Sequence, residues 1–153
     1  MIAFEDLTPG RVFELGSVTV DRDEMIAFAR RFDPQPFHLD EEAGQASVFG
    51  GLAASGWFTA GLWMRLYIDE LVSKADGLGS PGGDEIAWPA PVFAGDHLFA
   101  SMEIVAARRS SSKPWMGLVT LRAWMRRGAA DSDDVVYRAR FTGMFGSREH
   151  PRP

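Results

Sequence analysis

From Ser55-Gly56 to Val72 the chain carries Trp57, Phe58, Ala60, Leu62, Trp63, Leu66, Tyr67, Ile68 and Leu71, an apolar set that covers almost every face of a helix. A helix that is hydrophobic nearly all round does not lie on a surface; it is expected to be buried on most of its faces. Gly77, Gly79, Pro81, Gly82 and Gly83 are expected to end it. The texture then changes. Ile86–Val92, Leu98–Arg108, Met116–Met125 and Val135–Phe145 alternate apolar with polar or small residues, the period-2 pattern of half-buried strands. Gly95-Asp96, Ser110–Pro114 and Gly128–Asp134 punctuate them at hairpin spacing. One long buried helix and four strands in a row predict an α+β domain in which an antiparallel meander faces the helix.

Upstream, Pro9-Gly10 signals a turn, and Val12, Phe13, Leu15, Val18 and Val20 suggest a strand kinked at Gly16. Met25, Ile26, Phe28 and Ala29 give a helix from about Asp23 to Arg31 its apolar face. Phe32 to His38 reads as non-helical, because Pro34 and Pro36 each push the preceding residue toward extended geometry. Leu39–Ala46 reads as a short helix with an acidic first turn, and Phe49-Gly50-Gly51 as a loop. At 153 residues without repeats, the chain is expected to be one domain, with an ordered core of about residues 10–147 and a flexible C-terminal tail.

The absence of cysteine excludes a disulfide framework, a thiol nucleophile and a Cys-ligated metal site, and fits a cytoplasmic protein. The first residues lack the basic start of a signal peptide, and Val48–Leu66 is broken by glycines and carries Arg65, so it reads as core and not as a membrane span. The net charge of −5 hides an asymmetry: residues 1–97 hold 6 basic and 16 acidic side chains, residues 98–153 hold 10 and 5. That balance excludes a uniformly basic nucleic-acid binder. The basic hairpin tip with Arg108, Arg109 and Lys113 has two readings, a set of phosphate contacts or a solvated turn.

Three histidines are present, His38, His97 and His150. His97 follows a turn and reads as exposed, and His150 lies in the terminal tail. His38 follows Asp33 by five residues in a stretch stiffened by proline, where both side chains can point into one cavity. A carboxylate and an imidazole are suited to general acid/base chemistry near neutrality. The competing reading is an aspartate that caps a turn and a histidine that satisfies a backbone carbonyl. A metal site is not expected, since neither a second histidine at ligand spacing nor a cysteine accompanies His38, Asp33, Asp40 or Glu41. Ser55-Gly56 opens the long helix, where unpaired amides and the positive dipole end suit a developing oxyanion; simple packing of a small-residue turn is the alternative.

Together these residues resemble the MaoC-like dehydratases, the (R)-specific enoyl-CoA hydratase group of the hot-dog fold. In FDPQPFHLDEEAGQASVFGGLAASGW, Asp33, Pro36 and His38 match the family's Asp-x-Asn-Pro-x-His motif and Gly56 its helix-opening glycine. Pro91-Val92-Phe93-Ala94-Gly95-Asp96 resembles its P-V-x-x-G-D strand–turn, so the likeness runs over roughly residues 10–145. The resemblance implies a curved antiparallel sheet wrapped around a central helix, and a homodimer or higher homo-oligomer. It implies no cofactor beyond the coenzyme A or acyl carrier that bears the thioester, and neither a nucleic-acid nor a membrane partner. It assigns Asp33 and His38 to hydration of a trans-2-enoyl thioester or the reverse dehydration. It also assigns Gly56, with Ser55 beside it, to hold the thioester oxygen. Three positions depart from the pattern: Gln35 replaces Asn, Ser55 replaces His, and Met64 stands where some members carry a serine that supports the aspartate. Ser55 and Thr59 are the hydroxyls left to supply that support.

Two other readings remain. A hot-dog acyl-CoA thioesterase would place a carboxylate near the central helix, where Asp69 and Glu70 are the only acids. A non-catalytic acyl-thioester-binding protein would keep the fold and lack the chemistry. The large residues Trp57, Phe58, Trp63 and Met64 either restrict the acyl pocket or fill the core.

Overall fold

The computed structural model describes residues 1–153. Its frame is a single antiparallel sheet of β1 (Val12–Thr19), β2 (Gly77–Ala87), β3 (His97–Arg109), β4 (Met116–Arg127) and β5 (Val135–Gly146). The spatial order is β1-β3-β4-β5-β2. The alternation read from the sequence holds: Leu98, Ala100, Met102 and Ile104 of β3 and Val119, Leu121, Ala123 and Met125 of β4 are fully buried on one face. Register shifts at Glu14/Gly16, Ile104/Ala106 and Met125/Arg126 bend the strands, and the sheet curves around the helix. This is the hot-dog architecture, α+β, that the resemblance implies.

Helix α4 (Gly56–Glu70) lies in the concave face. Thr59, Trp63 and Tyr67, each four residues apart, point into the sheet and are buried, as is Phe58. Trp63 anchors the helix: its Nε1 donates to the Ser101 carbonyl at 3.1 Å and its ring stacks on Tyr67 at 5.0 Å. The opposite stripe corrects the expectation of burial on most faces. Trp57, Met64 and Ile68 are 58%, 45% and 39% exposed, because within one chain the helix is covered by the sheet and, at Phe58, by Phe28, which leaves this stripe open.

Three more expectations are corrected. The strand expected over Ile86–Val92 begins instead at Gly77, in the glycine-rich run expected only to end the helix, and stops at Ala87. Glycine permits this irregular edge: Gly79 and Gly82 have φ of 98° and 131°, at shifts in the pairing with β5. Beyond Ala87, Pro89 and Pro91 have no N–H to give a ladder. Next, the meander has three strands and not four, since β2 crosses to the far edge of the sheet and pairs with β5. Finally, Pro36–Leu39 forms one helical turn, α2, between α1 (Arg22–Phe32) and α3 (Glu41–Ala46). Pro36 stands at its first position, where the missing N–H costs nothing and the fixed φ is already helical.

The chain ends are tied together. Leu7 is fully buried, and Ser147 Oγ donates to Glu5 Oε1 at 2.5 Å while accepting from Arg109 Nη1 at 2.7 Å. No helix is long and apolar enough to cross a membrane.

Candidate active site

Asp33 and His38 belong to two different helices that the proline pair separates. Asp33 is the C-cap of α1, and Gln35 precedes Pro36 in extended geometry. The single turn of α2 then swings His38 back toward Asp33, and Asp40, capping α3 through the Ala43 N–H at 2.8 Å, ends that turn. Residues 52–54 run alongside: the Ala53 N–H donates to the Phe37 carbonyl at 3.3 Å and the Ala54 N–H to the Val92 carbonyl at 2.8 Å. This short extended segment brings Ser55, and with it the start of α4, against the α1–α2 junction.

The resulting geometry is specific. His38 Nδ1 lies 2.7 Å from the Ala53 carbonyl oxygen, which can only accept, so Nδ1 carries a proton. Nε2 is thereby the nitrogen left for chemistry, and it faces Asp33 Oδ2 at 3.3 Å. The sequence reading set a catalytic pair against a carbonyl-satisfying histidine; His38 makes both contacts, one on each ring nitrogen. Ser55 Oγ donates to Asp33 Oδ2 at 2.8 Å, and Gln35 Nε2 donates to Oδ1 at 2.7 Å. Burial works to raise the Asp33 carboxyl, but the hydrogen bonds from Gln35 and Ser55 and the proximity of His38 outweigh it and hold the group below the usual carboxylate range.

The imidazole is walled by aromatic rings, Phe37 edge-on at 4.7 Å and Phe49 stacked at 6.2 Å. A cavity of about 450 Å³ opens beside it. Gln35, Phe49, Gly56, Thr59, Trp88 and Val136 are among its lining, and most of the lining is apolar. Ser55 occupies the N-cap of α4 yet makes no capping hydrogen bond; its hydroxyl is turned toward Asp33, to which it donates. The Gly56 amide at the cavity wall is left without a backbone acceptor. Gly56 also has no room for a side chain: a Cβ there would lie 2.6 Å from Cε2 of Trp88.

The structure thus brings Asp33, His38, Ser55 and Gly56 together, but of the two side chains expected to share one cavity only His38 lines it, while the Ser55 hydroxyl is turned to the Asp33 carboxylate. It does not bring Arg108, Arg109 and Lys113 to them within one chain. Their turn adjoins Gly146 at one end of β5, whereas Val136 at the other end lines the cavity. At ~3.3 Å per residue the two lie roughly 30 Å apart. Arg109 is moreover held by Ser147, Glu149 and the Pro114 carbonyl. Asp69 and Glu70 pair with Arg65 and Lys74 at the far end of α4, so no helix carboxylate of the thioesterase kind reaches the cavity. Trp57, Phe58, Trp63 and Met64 do not line the cavity either; Phe37, Phe49 and Trp88 shape it instead. Sequence reasoning passed over these three, although Trp88-Pro89-Ala90-Pro91, two prolines beside a large aromatic, marks a stiff wall.

A family model described as a MaoC like domain matches residues 5–123. The chain belongs to this family. The MaoC-like dehydratase from Rhodospirillum rubrum is 36% identical, with a TM-score of 0.86 over 97% of this chain and 99% of that one. The unliganded R-hydratase PhaJ1 from Pseudomonas aeruginosa shares the fold at 18% identity, with a TM-score of 0.72 over 96% of this chain and 87% of its own. YdeM of Bacillus subtilis (strain 168), an uncharacterized protein, is 30% identical over 117 residues, 76% of this chain and 82% of that protein. In this MaoC-like chain the motif residues Asp33 and His38 are the ones whose side chains meet.

Proposed function

We propose that this MaoC-like domain hydrates a trans-2-enoyl thioester, or dehydrates the corresponding 3-hydroxyacyl thioester, with Asp33 and His38 as the acid/base pair. The observation that carries the reading is the divided histidine: Nδ1 fixed on the Ala53 carbonyl and Nε2 facing a carboxylate whose two oxygens are each held by a neutral donor. The ionised aspartate takes a proton from a water as its oxygen bonds to C3. Electrons move through C2 to the thioester oxygen, where the Gly56 N–H stabilises the enolate. Protonated His38 Nε2 gives its proton to C2, and the proton on Asp33 crosses to Nε2 to restore the pair. The reverse sequence eliminates water.

The substrate carrier is coenzyme A or an acyl carrier, and the chemistry asks for no resident cofactor. The apolar stripe Trp57, Met64 and Ile68 beside the open edge of β2 supports a homodimer, since an exposed apolar face next to an unpaired strand is a surface that a second copy can cover. The deciding experiment is a spectrophotometric assay on crotonyl-CoA. Loss of the enoyl-thioester absorbance that needs both Asp33 and His38 is expected. Release of free thiol in place of hydration would replace this reading with a thioesterase.

A further inference from the structure

The cavity has one wall that acid/base chemistry does not use. Trp88 stands over Gly56, so close that the fused edge of its indole, Cδ2 and Cε2, would lie 2.7 and 2.6 Å from a Cβ at that position. Its position is set from two sides. Trp57 packs edge-on against it at 5.1 Å, and Pro89 restricts its backbone to extended geometry, as Pro91 does for Ala90. The wall continues as Pro89, Ala90, Pro91 and Val92 to Val136, without an ionisable group. Polar lining is confined largely to the side of Gln35 and His38.

We infer that Trp88 is a specificity-determining residue that limits the length of the acyl chain, on the reading that the site handles enoyl thioesters. A substrate whose oxygen rests on the Gly56 amide must share the space directly above that residue with the indole. The two ends of such a substrate differ: the carrier arm is polar and anionic, the acyl chain apolar. An uncharged wall of Trp, Pro, Ala and Val suits the acyl end, since apolar surface gains by leaving water and buried polar groups lose without partners. A rigid indole at the head of that wall shortens the space available to a chain that turns along it. Trp88 is 36% exposed and stands outside the buried core cluster, so its substitution removes contacts with Gly56 and Trp57 at the start of α4 and leaves the core cluster in place.

The test compares kcat/KM for crotonyl-CoA and for trans-2-octenoyl-CoA in the wild type, Trp88→Phe and Trp88→Ala, with thermal melts as a check on folding. The octenoyl-to-crotonyl ratio is expected to rise at least about tenfold in Trp88→Ala, with Trp88→Phe between, because fitting or excluding a single methylene is already worth that much. An unchanged ratio in both variants overturns the assignment. So does a KM raised by one factor for both substrates, which would put Trp88 against the carrier arm. A wild type that hydrates neither substrate overturns the enoyl-thioester reading itself, a result distinct from an active wild type whose chain-length ratio ignores Trp88.

Discussion

The hydroxyl of Ser55 donates to Oδ2 of Asp33 at 2.8 Å, from the residue that begins the central helix. Met64, further along that helix, has no donor to offer the carboxylate. Ser55→Ala is therefore expected to lower kcat by ten- to a hundredfold, the scale of a hydrogen bond to a charged group at about 1.5–3 kcal/mol. Loss of a donor to the charged form raises the Asp33 pKa toward the ordinary value, so the acid limb of the pH–rate profile moves to higher pH. Ser55→Thr should restore both. A rate loss with an unmoved acid limb would mean that Ser55 serves packing alone.

Asp33→Asn and His38→Gln are each expected to reduce kcat/KM for crotonyl-CoA by at least about 10²-fold, the lower range for a positioned acid or base. Circular dichroism should show the fold retained in both. The two losses should not add in the double variant, because the residues act as one unit. Additive losses would argue for independent roles.

Gly56→Ala puts a methyl group where Trp88 already stands. Overpacking of this kind typically destabilises by ~1–3 kcal/mol, and the variant should also lose activity. In the Trp88→Ala background the same substitution should cost much less stability. Equal costs in the two backgrounds, measured by denaturant unfolding, would disprove the contact.

Glu5 gives the termini a pH signature. Burial works to raise its pKa, but the Ser147 hydroxyl and the Arg148 backbone amide outweigh this and lower it to about 2. A depressed folded-state pKa contributes stability above the unfolded value, which is lost as pH falls through the folded value. Thermal stability should therefore decline between about pH 4.5 and 2, and Glu5→Gln should lack that component of the decline. Identical profiles for wild type and variant would show that the Glu5–Ser147 link contributes nothing.

Much of the fold was legible because its signals are local. The alternation in β3, β4 and β5 follows from side chains on a pleated sheet, and the all-round apolar helix marks the centre. The path of β2 was not legible. Gly77–Gly83 has the composition of a loop, and only pairing with β5, some sixty residues later in the chain, makes it a strand. The site divides in the same way. The Asp33–His38 spacing and the glycine at position 56 are visible as a motif. The Ala53 carbonyl that sets the histidine tautomer is invisible, since backbone groups leave no mark on residue identity. Trp88 was hidden by distance in sequence, thirty-two residues from the glycine it covers.

Prolines stiffen the cavity on two sides: Pro89 and Pro91 line it, and Pro34 and Pro36 flank Gln35, which lines it elsewhere. Such walls have few conformations to lose when a ligand arrives, so association should carry a small entropic penalty from the protein. The same stiffness limits accommodation: a poorly shaped ligand meets a mould and not a hinge. On the proposed enoyl-thioester reading, discrimination between acyl groups is then expected before any chemical step, as a failure to seat.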